Sequence, residues 1–233
     1  MPNGGGALTR EHPNSKSSAA LVPARALSSA RGEGGTVDQF SFFMGFYGLQ
    51  LGLAVAELLG GFGALVRARR QPRWGLLTPL LGLDVFLQIA ATFIDAWRKL
   101  QAVTIDFSGV AAPALVGIGL FTATSLAVPR DVADWPALDD YFMARRRVAI
   151  GAVVIPNLVT IAVFEAAGVA VRPPAWQVMY WSVNALLIGA LLVAATTRRR
   201  RLAAVALAAN ILLLLVIYAT PAMIPAGFAR LGL

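Results

Sequence analysis

Six apolar windows, each about 20 residues long and closed at alternate ends by arginine clusters, constrain this chain more than any motif in it. An α-helix rises about 1.5 Å per residue, so roughly 20 apolar residues cross the ~30 Å hydrocarbon core of a bilayer. The windows fall near residues 40–66, 76–97, 108–128, 148–171, 176–196 and 202–219. Backbone N–H and C=O groups find no water in hydrocarbon, and a helix satisfies all of them within one segment. The expected fold is therefore all-α: a polytopic membrane protein, a bundle of six transmembrane helices over residues 38–233. Composition agrees, because 58% of the chain is hydrophobic, only 14% is charged and the mean hydropathy is +0.68. A soluble domain is nearer half apolar and about a quarter charged.

Residues 1–37 differ. They are Gly, Ser, Ala, Pro and Arg without a sustained apolar period, the composition of a disordered tail. No apolar core of a signal peptide is present. The Arg and Ser content allows a transit peptide, but Glu11 and Glu33 count against it. The favoured reading is an upstream extension, with translation starting near Val37.

The net charge of +8 raises nucleic acid as a partner, and its distribution excludes it. "RARRQPR" (67–73), "ARRR" (144–147) and "RRRR" (198–201) sit at the ends of apolar windows rather than on one basic face. The loops after spans one, three and five carry twelve of the 20 Lys and Arg: Arg67, Arg69, Arg70, Arg73, Arg130, Arg145 to Arg147 and Arg198 to Arg201. By the positive-inside rule these loops are cytoplasmic and both termini lie outside. The chain has no cysteine and one histidine, His12, in the tail. That excludes thiolate metal sites, histidine zinc or haem ligation and a Ser-His-Asp triad in the membrane body. No cofactor and no catalytic residue are expected; the lipid bilayer is the certain partner, with a homo-oligomer or a second membrane protein as further candidates.

The longest loop between spans, "PRDVADWPALDDYFMARRR" (129–147), suits a solvated segment with an interfacial helix. Trp135, Tyr141 and Phe142 are placed at the headgroup level, above Arg145 to Arg147 and anionic lipid. Asp131, Asp134, Asp139 and Asp140 resemble diphosphate–metal motifs in residue type, but not in spacing.

The positional signal lies inside the spans. Counted from the arginine-rich ends, Glu57, Asp84, Asn157 and Asn210 are each about 8 to 10 residues deep, or roughly 12–15 Å, near the midplane. Asn184 reaches a similar level from the other end. In span two, Asp84, Gln88, Thr92 and Asp95 recur at i, i+4, i+8 and i+11 and share one helical sector. Gln50 aligns with Glu57, Asn157 with Glu165, and Gln177 with Asn184. These stripes run toward the outer surface, predicting an acid-lined cavity open outward and closed below.

A carboxylate at the bilayer centre costs about 2.5–3.5 kcal/mol and is held protonated, paired or bound to a cation. No Lys or Arg lies mid-span, so Glu57 is expected to face Asp84 and share a proton or an ion with it. Glu57, Asp84, Gln88, Asn157 and Glu165 form the candidate cation or proton site. A structural reading stands beside this one. Asn184 and Asn210 serve as interhelical glue at about 1 kcal/mol or less, Asp95 and Glu165 reach water, and the acids are neutral and hydrogen-bonded. Gly48, Gly52, Ala56, Gly60 and Ala64 form a small-residue ridge for close helix packing, and Pro156 kinks span four.

"FSFFMGFYGLQLGLAVAELLGGFGALV" with its arginine-rich loop, and "WPALDDYFMARRRVAIGAVV", resemble a family of small six-helix bacterial inner-membrane proteins without an assigned function. The resemblance covers about 38–220 and implies the bacterial inner membrane; it brings no catalytic or ligand residues. Three readings follow: passage or binding of a small cation or proton, a non-transporting structural or partner-binding module, and an intramembrane enzyme acting through Asp139 and Asp140.

Overall fold

The computed structural model describes residues 24–68, 72–101, 107–166 and 174–219. Two compact units are distinguished, Met1–Asp38 and Gln39–Leu233. The described part of the first is helical from Ala24, within the segment expected to lack regular structure; residues 1–23 lie outside the described residues.

The second unit is a helical bundle. Its elements are α1 (Ala24–Arg67, of which Gln39–Arg67 belongs to this unit), α2 (Leu77–Lys99), α3 (Phe107–Ala127), α4 (Leu138–Ala166), α5 (Pro174–Thr196) and α6 (Arg200–Ala219). All six are long and apolar enough to cross a membrane, and no strand occurs among the described residues. Large apolar side chains such as Leu49, Leu53, Leu186 and Leu212 point outward, as lipid-facing residues must. The chain is a multi-pass membrane protein.

α2 is the hub. It packs on α3, α4 and α6, while α3 pairs with α4, and α5 with both α4 and α6. Half of its apolar window is buried, against about a sixth of that of α5. Polarity explains the difference: the Asp84–Gln88 stripe has to be shielded from lipid on every side, whereas α5 is apolar around most of its circumference. α1 leans on α2 and α3. Its Phe40 ring meets Trp97, and the Gln50 amide nitrogen donates to the Ala114 carbonyl at 2.9 Å.

α4 starts ten residues earlier than the apolar window from 148, taking up the segment expected as an interfacial helix. Leu138 and Phe142 are in the core and Tyr141 is buried. The Tyr141 hydroxyl donates to the Leu126 carbonyl at 2.8 Å, and its ring meets Trp135 edge-on. Tyr141 and Phe142 are thus packing residues rather than headgroup anchors. They bury against the end of α3 because the 128–137 connection folds back on the bundle.

The aspartates of this segment hold helices together. The α2 N-terminus has no capping side chain of its own; instead the Leu77 N–H donates to Asp139 Oδ1 at 3.0 Å. A single parallel bridge between Arg73 and Ala137 and a Thr78 hydroxyl bond to the Leu138 carbonyl complete the junction. Gly75 makes room, since a Cβ there would fall 2.0 Å from Asp139 Oδ1. Asp140 pairs with Arg200 at the start of α6. Capping side chains contribute about 1 kcal/mol, so Asp139→Ala should destabilise by roughly that amount. Thermal unfolding of the purified variant checks this, and an unchanged midpoint would remove the capping role.

Candidate functional site

Asp84 and Asn210 meet where α2 crosses α6. Both are fully buried, at 0% exposure, and the Asn210 amide nitrogen donates to Asp84 Oδ1 at 2.6 Å. The other carboxylate oxygen, Oδ2, and the amide oxygen Oδ1 of Asn210 have no partner among the described residues. Both orphans are acceptors. The pair therefore carries one donated hydrogen bond and a surplus of oxygen lone pairs, in a place where an unmet acceptor costs about 1–3 kcal/mol and a charged one more.

One turn along α2, Gln88 is buried at 4% exposure and forms the inner end of a cavity of about 230 Å³ between α2, α4, α5 and α6. Asn157 of α4 and Asn184 of α5 line its walls. Each amide spends an N–H on its own helix, Asn157 to the Val153 carbonyl and Asn184 to the Tyr180 carbonyl, both at 2.9 Å. A backbone carbonyl only accepts, so the nitrogen assignment is fixed. Thr160 likewise donates to the Pro156 carbonyl at 2.9 Å. Toward the helix ends remote from the arginine-rich loops, Asp95, Arg98 and Lys99 complete the lining. Lys99 is tied to Asp95 at 2.6 Å and sits 4.8 Å from the Phe164 ring centroid. Asp95 is also hydrogen-bonded to Tyr218.

The candidates from the sequence divide accordingly. Asp84, Gln88 and Asn157 converge on the cavity or just below it, joined by Asn184, Asp95 and Asn210. Glu57 does not converge: its carboxylate pairs with Arg130 at 3.3 Å on a part-exposed face, not with Asp84. The depth count misled because it started from Arg67. The bundle segment of α1 runs 29 residues, about 43 Å at 1.5 Å per residue, and overshoots α3. Gly61 already packs on Val128, just beyond the α3 end, so Glu57 lies little more than one turn below that level and within reach of an arginine. Such an exposed pair contributes about 0–1 kcal/mol. Glu165 is exposed near the end of α4 and is not part of the cavity lining.

The cavity is also not acid-lined. Of its three charged residues, one is acidic and two are basic. Arg98 and Lys99 count toward loop charge in a topology argument, yet Lys99 continues the Asp84–Asp95 stripe at i+4 from Asp95, and that continuation is legible in the sequence.

Two further expectations concern the membrane body. α4 continues through Pro156, which is buried and sets its ring against Gly119 of α3. Gly52, Ala56, Gly60 and Ala64 of the small-residue ridge are exposed; of its glycines, Gly48 meets Phe93, while Gly52 and Gly60 have nothing within 4 Å of a Cβ position. The ridge does not pack helices within this bundle, because α1 presents its Tyr47, Leu51, Ala54 and Leu58 face inward.

No group of three or more His, Cys, Asp or Glu side chains converges on a metal-binding geometry among the described residues. Asp139 and Asp140 are engaged in capping and ion pairing. Comparison with known protein families, with characterised proteins and with solved structures finds no match.

Proposed function

We propose that this membrane protein binds a small cation or a proton at the Asp84–Asn210 pair, approached through the polar cavity above it. The observation that carries this reading is the pair's surplus of buried acceptors: Asp84 Oδ2 and Asn210 Oδ1 face no donor. A proton taken up by the Asp84 carboxyl, or a bound cation, would reduce this surplus, and Gln88 stands one turn away on the cavity side. Applying the positive-inside rule to the arginine-rich loops puts the cavity on the outer side of a bacterial inner membrane, with both termini outside. The resemblance to small six-helix bacterial membrane proteins agrees with that location.

Thermal stability of the purified full chain tests the proposal, across Na⁺, K⁺, Mg²⁺ and Ca²⁺ and across pH, beside Asp84→Asn. A ligand bound only by the folded state stabilises by about 2.7 kcal/mol at a hundredfold excess over Kd. One cation, or one pH step, should move the wild type and leave Asp84→Asn unmoved. A flat panel in both proteins would end this reading.

A second reading has an observation of its own. The exposed α1 ridge, where Gly52 and Gly60 have nothing within 4 Å of a Cβ position, is the surface type on which membrane helices approach closely. In that reading the protein is a partner-binding module, and the flat panel is its expected result.

A further inference from the structure

We infer that the Asp84–Asn210 pair, a binding site in the reading above on which this rests, holds a proton and excludes metal ions. The pair has no room for an ion. Both side chains have 0% exposure, so no water-sized volume touches either of them, inside the bundle or at its surface. Neither lines the cavity of about 230 Å³. A hydrated ion in that cavity reaches Gln88, one helical turn from Asp84, and no farther. A proton needs no space of its own, because it joins an oxygen already in place.

The oxygens are also too few. Ca²⁺ takes about 6–8 oxygen ligands, and Mg²⁺ an octahedron in which it keeps several waters. K⁺ exchanges its hydration for a full shell of carbonyl oxygens. The pair offers two unpartnered oxygens, Asp84 Oδ2 and Asn210 Oδ1, while Asp84 Oδ1 already accepts from Asn210 at 2.6 Å. One turn to either side, α6 carries Ala206, Leu207, Leu213 and Leu214, and α2 carries three leucines and Gln88. Even with Gln88 the set falls well short of a metal shell.

No side-chain cation answers the carboxylate either, since Asp84 makes no ion pair among the described residues. On α2 itself, Asp95, Arg98 and Lys99 begin 11 residues farther along, about 16 Å away at 1.5 Å per residue. α3 has no titratable side chain between Phe107 and Ala127. On α4, Asp139 and Asp140 are engaged at the helix start. Arg145 to Arg147 follow them, and Arg146 donates to its own Met143 carbonyl. α6 carries Arg200 and Arg201 at its start and Tyr218 eight residues beyond Asn210. On α1, Tyr47 is in the core and Glu57 is held by Arg130.

A carboxyl group within a membrane bundle is protonated, paired with a cationic side chain or bound to an ion. The geometry removes the second and the third. A proton on Asp84 keeps the pair neutral, and its loss places an unpaired charge between α2 and α6.

Infrared difference spectroscopy of the full chain in detergent, wild type minus Asp84→Asn, reads this carboxyl directly. Its acid form gives a C=O stretch above the amide I band, and its carboxylate a pair of bands below. As pH rises between about 4 and 9, the span open to a buried aspartate, the acid band should give way to the carboxylate pair. The midpoint should be the same in choline, Na⁺, K⁺, Mg²⁺ and Ca²⁺ chloride at equal ionic strength. A competing cation would lower it by about one pH unit for each tenfold rise in concentration above its Kd. That shift would overturn the proton and leave a cation site, so the reading above would survive. An acid band that persists across the whole range would overturn both, because a proton that never leaves belongs to the fold. Carboxylate bands throughout, indifferent to every cation, would overturn both as well. The cation comparison is made within the wild type and needs no variant. Where Asp84→Asn folds poorly, Asn210→Ala supplies the band assignment, since losing a hydrogen bond raises the frequency of the carboxyl stretch.

Discussion

Asn210→Leu is expected to lower stability by about 1–3 kcal/mol, the cost of stripping a buried acceptor of its partner. Interhelical hydrogen bonds in membranes average only about 0.6 kcal/mol in double-mutant cycles. The larger figure applies here because the acceptor is a carboxyl group at 0% exposure, and Asn210 is the donor to it. After the substitution neither Asp84 oxygen has a hydrogen-bond partner among the described residues. Asp84→Leu should cost less, since it orphans only a neutral amide. The double variant Asp84→Leu/Asn210→Leu should recover most of the loss, because removing both partners of a buried polar pair is often close to neutral. Reversible unfolding of the four proteins in one detergent gives the coupling energy directly. A cycle that closes near zero would mean that the two side chains do not interact energetically.

Gly119→Ala carries the second large effect. A Cβ at this position would fall 2.3 Å from Pro156 Cγ, and a proline ring cannot rotate aside. α3 and α4 must separate locally, at the roughly 1–3 kcal/mol typical of overpacked cores. Gly82 offers a graded comparison, because its Cβ would meet the edge of the Phe62 ring at 2.5 Å and a phenylalanine has rotamers to use. Gly52→Ala and Gly60→Ala are the controls, with nothing within 4 Å; they should be neutral or slightly stabilising through helix propensity. Pairing Gly119→Ala with Pro156→Ala should relieve the clash. Equal midpoints for Gly119→Ala and Gly52→Ala would show that the α3–α4 contact is loose in solution.

How far the site was legible follows from the kind of signal each residue leaves. Asp84 and Gln88 stand out because a polar stripe on one sector of an apolar helix has to face inward. Asn157 and Asn184 share a depth with it, and depth is readable wherever the arginine boundary coincides with the helix end at the bundle surface. At Glu57 it does not, because α1 extends past its neighbours and the carboxylate meets Arg130. Residue type alone gave Asp139 and Asp140 a catalytic reading, yet one caps α2 and the other pairs with Arg200. The small-residue ridge showed that a close approach was permitted, and left open whether the neighbour lies in the same chain.

By itself, then, the sequence determined the six spans, the all-helical class and the polar stripe of α2. These follow from the cost of leaving backbone groups unbonded in hydrocarbon and from the period of the helix, both local properties of a segment. Tertiary structure alone decided the partners: Asn210 rather than Glu57 for Asp84, Arg130 for Glu57, and a cavity of mixed charge rather than an acidic one. Which side chains meet depends on how far each helix is shifted along its neighbours and which face it turns to them. That is fixed by contacts summed over the whole bundle, such as Gly119 against Pro156 and Gly61 against Val128, and no single segment encodes it.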